Sequence, residues 1–234
     1  MVVDFHSHIL PGIDDGSPDV ETSLEMLRAA AEQGIRHVVA TPHFYARYDS
    51  PERFLAKRDR AEAQLRRALE QHPELPEISV GAEVYYFRGI SESDHLPQLT
   101  IRGKRCILIE MPHAPWPEDI LREVSAIWEK RGIIPVIAHV DRYIAPLRTH
   151  GIPRRLEEMP VYVQANADFF LERSTAAMAM RMLKSGRIHL LGSDCHDMDR
   201  RPPNLAQAVE RIRRKLGEDA ISSIQEFQRR VLDL

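Results

Sequence analysis

Seven short apolar runs alternate with helical stretches along this 234-residue chain, and that alternation restricts the fold more than any other feature. The runs fall at residues 2–5, 35–41, 78–82, 106–109, 133–138, 161–165 and 188–192. Strands separated by helices pair in parallel through right-handed crossovers, and this length suits one α/β barrel or sheet domain. Ser17 reads as a helix N-cap with Pro18 in the first helical position and Gly34 as the stop. Further helices are expected from 51 to about 71, over 117–131 before Gly132, over 174–184, and from about 204 and 219. Residues 85–103 lack a clean period and read as a short hairpin or irregular loop, and 140–158 as loop and short helix.

Six of the seven runs deliver a side chain with metal-binding capacity at the carboxyl end. They are His6 with His8, His43, Glu83, Glu110, His139, and Asp194 with His196. Asp15 joins them from the acidic turn after His8, in the stretch HSHILPGIDDG. His6 and His8, at i and i+2 in extended backbone, face the same way. In a parallel fold all carboxyl ends lie on one face. An open sheet would spread them along neighbours about 4.8 Å apart, whereas a closed barrel brings them to one axis. So many ligand types at strand ends favour closure. His37, His72, His95, His150 and His189 fall mid-strand, on helices or in outer loops and read as structural; His113, close after Glu110, is open to either role.

Asp15, Glu83, Glu110 and Asp194 would sum to −4, a costly cluster without cations. Three divalent ions would bring the site to about +2 and create demand for an anionic substrate. Mixed imidazole and carboxylate donors without thiolate suit Mn²⁺, Fe²⁺ or Zn²⁺. Arg142 follows His139 in HVDRY and Arg201 follows His196 in HDMDRRPP. Guanidinium groups beside cations need an anion between them, and phosphate meets that need. The plainer reading pairs them with Asp141 and Asp199 at the surface.

Net charge is −3 with no basic block, which leaves nucleic-acid and membrane-surface binding without an electrostatic footprint. Two cysteines, Cys106 and Cys195, build no disulfide framework and suit a reducing cytoplasm. No leader-like segment opens the sequence, and no apolar run nears the roughly 18 residues of a membrane span.

The segments DFHSHILPGIDDG, ATPHF, GAEVYY, IEMP, AHVDRY and GSDCHDMDRRPP, in this order, resemble the polymerase and histidinol phosphatase (PHP) superfamily. The likeness is greater to its capsular-polysaccharide branch, the manganese-dependent protein-tyrosine phosphatases of bacterial exopolysaccharide operons. The resemblance implies a single PHP domain over 1–234, a distorted (β/α)7 TIM-like barrel with a trinuclear centre, Mn²⁺ being the expected metal. One ion would sit on His6, His8 and Asp194 with Glu83 bridging, a second on Glu83, Glu110 and His139, a third on Asp15, His43 and His196. Arg142 and Arg201 would bind phosphate. Glu110 and Asp15 stand where other branches commonly carry histidine, while Asp141 and the loop 111–117 depart from the family pattern.

The chemistry implied is phosphomonoester hydrolysis by a hydroxide bridging two ions. A phenol, with pKa near 10, leaves with little help from a general acid, for which Asp199 or His43 would serve. The implied partner is the phosphotyrosine-bearing tail of a bacterial tyrosine kinase that controls polysaccharide export. Tyr45, Tyr48, Tyr85 and Tyr86 are candidates for an aromatic mouth. Three rivals remain: a small-molecule phosphatase such as histidinol phosphatase, a non-catalytic metal- or partner-binding barrel, and thiolate chemistry. The last rests on Cys195 to Arg201, which spells the Cys-x5-Arg of cysteine-dependent phosphatases but carries two acids and no glycine.

Overall fold

A computed structural model describes residues 2–144 and 151–234. His150 and the middle of the 140–158 stretch lie outside the described residues. The first half runs β1 (Val2–Ser7), α1 (Val20–Glu32), β2 (Ile35–Ala40), β3 (His43–Phe44), α2 (Pro51–Leu69), β4 (Glu77–Val80) and β5 (Glu83–Tyr85). After a 3₁₀ turn at Ile90–Glu92 come α3 (Leu96–Leu99), β6 (Cys106–Glu110), α4 (Glu118–Arg131), β7 (Ile134–Ile137) and α5 (Asp141–Ile144). The chain ends with α6 (Ile152–Glu157), β8 (Tyr162–Asn166), α7 (Ala167–Leu171), α8 (Ala176–Lys184), β9 (Leu190–Gly192), α9 (Leu205–Leu216) and α10 (Glu218–Leu232).

Every strand pairing is parallel, in a sheet ordered β1-β2-β4 and a second ordered β3-β5-β6-β7-β8-β9. The sheet curls on itself: Ser7 at the end of β1 bridges in parallel to Cys195, just past β9. Near their carboxyl ends the second and third predicted runs break into β2/β3 and β4/β5, at Pro42 and at Gly81-Ala82. Proline has no N–H for the ladder, and a Cβ on Gly81 would meet Ile101 Cα at 3.1 Å. Past Tyr85, which ends β5, the stretch 85–103 forms no hairpin, only the 3₁₀ turn and α3 within irregular chain. Asp19, not Ser17, caps α1, accepting the Thr22 N–H at 2.9 Å; the Ser17 hydroxyl is buried against Ser23 at 2.8 Å.

Side chains alternate between the two faces of the strands. Val3, Phe5, Val39, Leu108, Val136, Ala138 and Leu190 form a small inner cluster, into which Leu232 of α10 packs. Val38, Ile107, Ile109, Ile137, Val163 and Leu191, of opposite parity, join the larger core under the helices. The inner stack is apolar toward the amino ends of the strands and polar at their carboxyl ends, where the candidate ligands stand.

Candidate metal centre

A bulge in β1 aims the first ligand. Asp4 pairs with Val38 and Ser7 with Ala40, so Phe5 and His6 both stand opposite Val39. The extra residue turns His6 to the inner face beside Phe5, and His8 follows on that face two residues later. Gly192 makes room, since a Cβ there would lie 2.6 Å from His6 Cβ. Gly16 serves the same end in the DDG turn, where a Cβ would stand 2.2 Å from the His8 carbonyl oxygen. His43 and Glu83 are direct neighbours in the β3–β5 ladder, and Glu110 closes β6. His139 and Asp194 have φ of 31° and 56°, a left-handed conformation that is costly outside glycine and here holds two candidate ligands at the site.

His6 Nε2 lies 3.2 Å from His8 Nε2, 3.2 Å from Glu83 Oε2 and 3.4 Å from Asp194 Oδ1. His8 Nε2 stands 3.3 Å and 3.4 Å from the same two oxygens. A regular tetrahedron of edge about 3.3 Å holds its centre about 2.0 Å from each corner, the length of a bond from a zinc-sized divalent ion to nitrogen or oxygen. The far ring nitrogens fix the tautomers. Gln164 Oε1 accepts the His139 N–H at 2.6 Å, so it also accepts from His6 Nδ1 at 3.2 Å. Asp14 Oδ2 takes His8 Nδ1 at 2.8 Å. In their neutral forms both rings would turn a lone pair toward the shared point, an arrangement that a cation resolves.

Two further groups adjoin this one: His8, Asp15, His43 and His196, and then His43, Glu83 and Glu110. His139 Nε2 is 2.7 Å from Glu83 Oε1 and 3.8 Å from Glu110 Oε1. Asp15 Oδ1 is 3.6 Å from both His43 Nε2 and His196 Nε2. Thus all nine predicted ligands meet at one rim. Buried atoms without a hydrogen-bond partner gather there, among them His43 Nδ1, Glu110 Oε2, Asp194 Oδ1 and His196 Nε2. In so polar a cluster, that is the donor set a divalent cation fits.

Burial opposes charge on His6 and His8, but Glu83 and Asp194 raise the first, and Asp14 raises the second well above its usual range. Asp14 is itself held down to about 2 against its burial by the His8 charge. Burial and then the Glu83 charge push Glu110 up to about 7. Burial and then the His8 charge push His196 down to about 4.

Arg142 and Arg201 both end on Asp194 Oδ2, the latter at 2.6 Å, rather than on Asp141 and Asp199. Asn166 Nδ2 donates to the same oxygen at 2.9 Å, leaving Oδ1 for the histidines. Gln164 and Asn166 are absent from the sequence expectations, and Asp14, part of the acidic turn, turns out to hold His8. The two amides occupy inward positions of β8, Asn166 one residue past the predicted run, and alternation in YVQAN was their available signal. Asp199 is exposed and stands outside the groups just described. His113 reaches the rim, its Nε2 3.8 Å from Glu110 Oε1.

The Cys195–Arg201 loop is not a phosphate cradle. Its N–H groups at Asp199, Arg200 and Arg201 donate to Asp197 Oδ1, at 2.7, 2.5 and 3.2 Å. A carboxylate already fills the place an anion would need. Cys195 is buried, and that burial, then the Asp4 carboxylate, push its thiol upward. Of the four tyrosines, Tyr45, Tyr48 and Tyr85 cluster beside His43, whereas the Tyr86 hydroxyl donates to Glu123.

The profile of the family described as capsular polysaccharide synthesis, CpsB/CapC, matches residues 2–229. The tyrosine-protein phosphatase CpsB of Streptococcus pneumoniae is 31% identical over 226 residues, covering 92% of this chain and 91% of that protein. CpsB of Streptococcus agalactiae serotype V is 29% identical over 233 residues, covering 95% and 94%. A crystal structure from work on YwqE of Bacillus subtilis and CpsB of Streptococcus pneumoniae, described as metal-dependent tyrosine phosphatases, superposes with a TM-score of 0.84. It has 26% identity and covers 97% of this chain and 93% of its own.

Proposed function

The chain belongs to the CpsB/CapC family of capsular polysaccharide synthesis proteins, and from that premise we propose a metal-dependent protein-tyrosine phosphatase. One observation carries the reading. Nine imidazoles and carboxylates from distant parts of the chain share a rim with two arginines, an arrangement suited to divalent cations and a phosphate together.

We assign His6, His8 and Asp194 to one ion with Glu83 bridging, Glu83, Glu110 and His139 to a second, and Asp15, His43 and His196 to a third. The short His139–Glu83 contact and the two equal Asp15 contacts support the second and third sets. His43 also approaches Glu83 Oε2 at 3.1 Å, so it stands between two of the sets. We take Mn²⁺ as the metal, and the curled sheet as a seven-staved barrel in which β2 runs on into β3 and β4 into β5. The 234 residues then form one PHP domain. Among the described residues no helix is long and apolar enough to cross a membrane. We infer a cytoplasmic protein whose substrate is the phosphotyrosine tail of a capsule-system tyrosine kinase.

Divalent ions supply Lewis acidity and a water that ionises near neutral pH. The protein does the rest. Asp194 splits its oxygens, Oδ1 toward His6 and His8 and Oδ2 toward Arg142 and Arg201, so the guanidinium groups are held at the edge of the metal-binding rim. There they bind and orient the phosphoryl oxygens and stabilise charge as the ester bond breaks. Asp14 and Gln164 hold two ligand rings in the required tautomer. Asp199 is exposed, and a departing phenolate has little need of a proton donor.

The test is Mn²⁺-loaded protein assayed on a phosphotyrosine peptide and on histidinol phosphate, with and without chelator, alongside Cys195→Ser. Chelator-sensitive turnover of the peptide, faster than of histidinol phosphate and retained in Cys195→Ser, is expected. Preference for histidinol phosphate, inertness of the metal-loaded protein, or loss of activity only in Cys195→Ser would each overturn the reading.

A further inference from the structure

The wall of the site beside His43 is aromatic. Tyr45 directly follows β3, and its carbonyl oxygen accepts the N–H groups of Tyr48 at 2.9 Å and Asp49 at 3.1 Å, which fixes the turn. Its half-buried ring lies 5.1 Å from the His43 ring at an interplanar angle of 30°. Tyr85 stands behind it at 5.6 Å, and Tyr48, 76% exposed, meets it edge-on at 6.3 Å. Strand alternation separates this wall from the fold's own aromatic packing. Phe44, one residue earlier, turns the other way, onto Phe54 at 5.0 Å. The Tyr45 ring is thus not spent on the core.

The wall is also placed where a leaving group must go. Arg142 and Arg201 follow β7 and β9, whereas Tyr45 and Tyr85 come with β3 and β5, set apart from them by β6 on one side and by β1, where Ser7 bridges to Cys195, on the other. Phosphate drawn to the arginines directs its ester substituent away from them. In an aryl phosphate the ring is a single oxygen removed from phosphorus, so it meets the first side chain beyond the metal ligands. Aromatic rings attract one another in tilted or offset contact with centroids about 4.5–7 Å apart, the range these tyrosines already keep among themselves.

We propose that Tyr45, backed by Tyr85 and edged by Tyr48, is the specificity residue that receives the leaving-group ring of an aryl phosphate. This rests on the phosphatase reading of the same site. A saturated alkyl phosphate gains no such contact, so the wall selects by ring and not by charge.

Phosphonates separate recognition from leaving-group reactivity, because their phosphorus–carbon bond is not hydrolysed. Binding of phenylphosphonate and methylphosphonate to Mn²⁺-loaded protein is measured by calorimetry for the wild type, Tyr45→Ala and Tyr45→Phe. The wild type should favour phenylphosphonate by about tenfold, a preference of the size ring contacts give. Tyr45→Phe should keep the preference, and Tyr45→Ala should bring the ratio near one. A preference that survives in Tyr45→Ala overturns the proposal. So does an equal loss of both ligands, which makes Tyr45 a support of the centre, and so does a wild type without preference. Since binding is read without turnover, a protein that binds phenylphosphonate selectively through Tyr45 yet hydrolyses nothing would sink the phosphatase reading, whereas turnover without that selectivity would sink the proposal alone.

Discussion

Replacing Asp14 by asparagine should weaken metal binding across the whole centre, although Asp14 belongs to none of the assigned ligand sets. Its Oδ2 accepts from His8 Nδ1 at 2.8 Å and from the His43 N–H at 2.9 Å, and its Oδ1 from the Gly16 N–H at 3.0 Å. An asparagine amide has only one oxygen for these three donors. Turned toward His8 and His43, it sets its NH₂ against the Gly16 N–H; turned the other way, it opposes two donors. Either choice strands at least one partly buried donor, at about 1–3 kcal/mol, and removes the charge that sustains the His8 tautomer. His8 belongs to two of the three candidate groups and His43 to two, and together they touch all three. Loss of such an outer partner costs about 10- to 100-fold in metal affinity. Competition with a chromogenic chelator gives the affinity, elemental analysis the number of ions, and melting with excess chelator separates the stability of the unloaded fold. Asp15→Asn is the contrast. Asp15, with its side chain 70% exposed, pairs with His43 and His196 and belongs to one candidate group, so that variant should lose one ion and keep the others. If Asp14→Asn binds Mn²⁺ as the wild type does, or loses one ion only, the tautomer argument is wrong.

Two other outcomes follow from the same geometry. Gly192→Ala places a Cβ 2.6 Å from His6 Cβ and 3.0 Å from Gln164 Nε2, so it should destabilise the fold by about 1–3 kcal/mol and lower metal affinity as well; urea unfolding at wild-type stability would refute the close approach. Metal uptake at pH 7 should release protons. A group whose pKa lies above the solution pH carries a proton that the ion must displace, and His8, lifted by Asp14 despite its burial, and Glu110, at about 7, are such groups. Burial has already bared His43, His139 and His196, which contribute none. Affinity should therefore climb as pH rises toward and through about 7, and the calorimetric enthalpy should vary with the ionisation enthalpy of the buffer; a buffer-independent enthalpy would contradict this assignment.

The gathering of the nine candidate ligands was legible because strand ends are marked by where an apolar run stops; a single histidine or carboxylate there is most often a loop residue or a cap, but nine at one end of the strands are not. What supports them was harder to read. Asp14 and Asp15 are adjacent, so composition does not say which faces His8 and which the outer histidines; the turn decides, and Gly16 is the local clue to how tightly it packs. His6 and His8 share a face, as their spacing implies, yet which face depends on the bulge opposite Val39, a register property of two strands at once. Gln164 and Asn166 stand in the strand whose end carries no imidazole or carboxylate, and nothing local marks a neutral amide there as the holder of a ligand. The pattern is physical: a side chain that binds an ion needs only the right chemistry at the right end of a strand. One that orients a ligand needs a partner chosen by the fold, here separated in sequence by 158 residues for His6 and Gln164 and by 28 for Asn166 and Asp194.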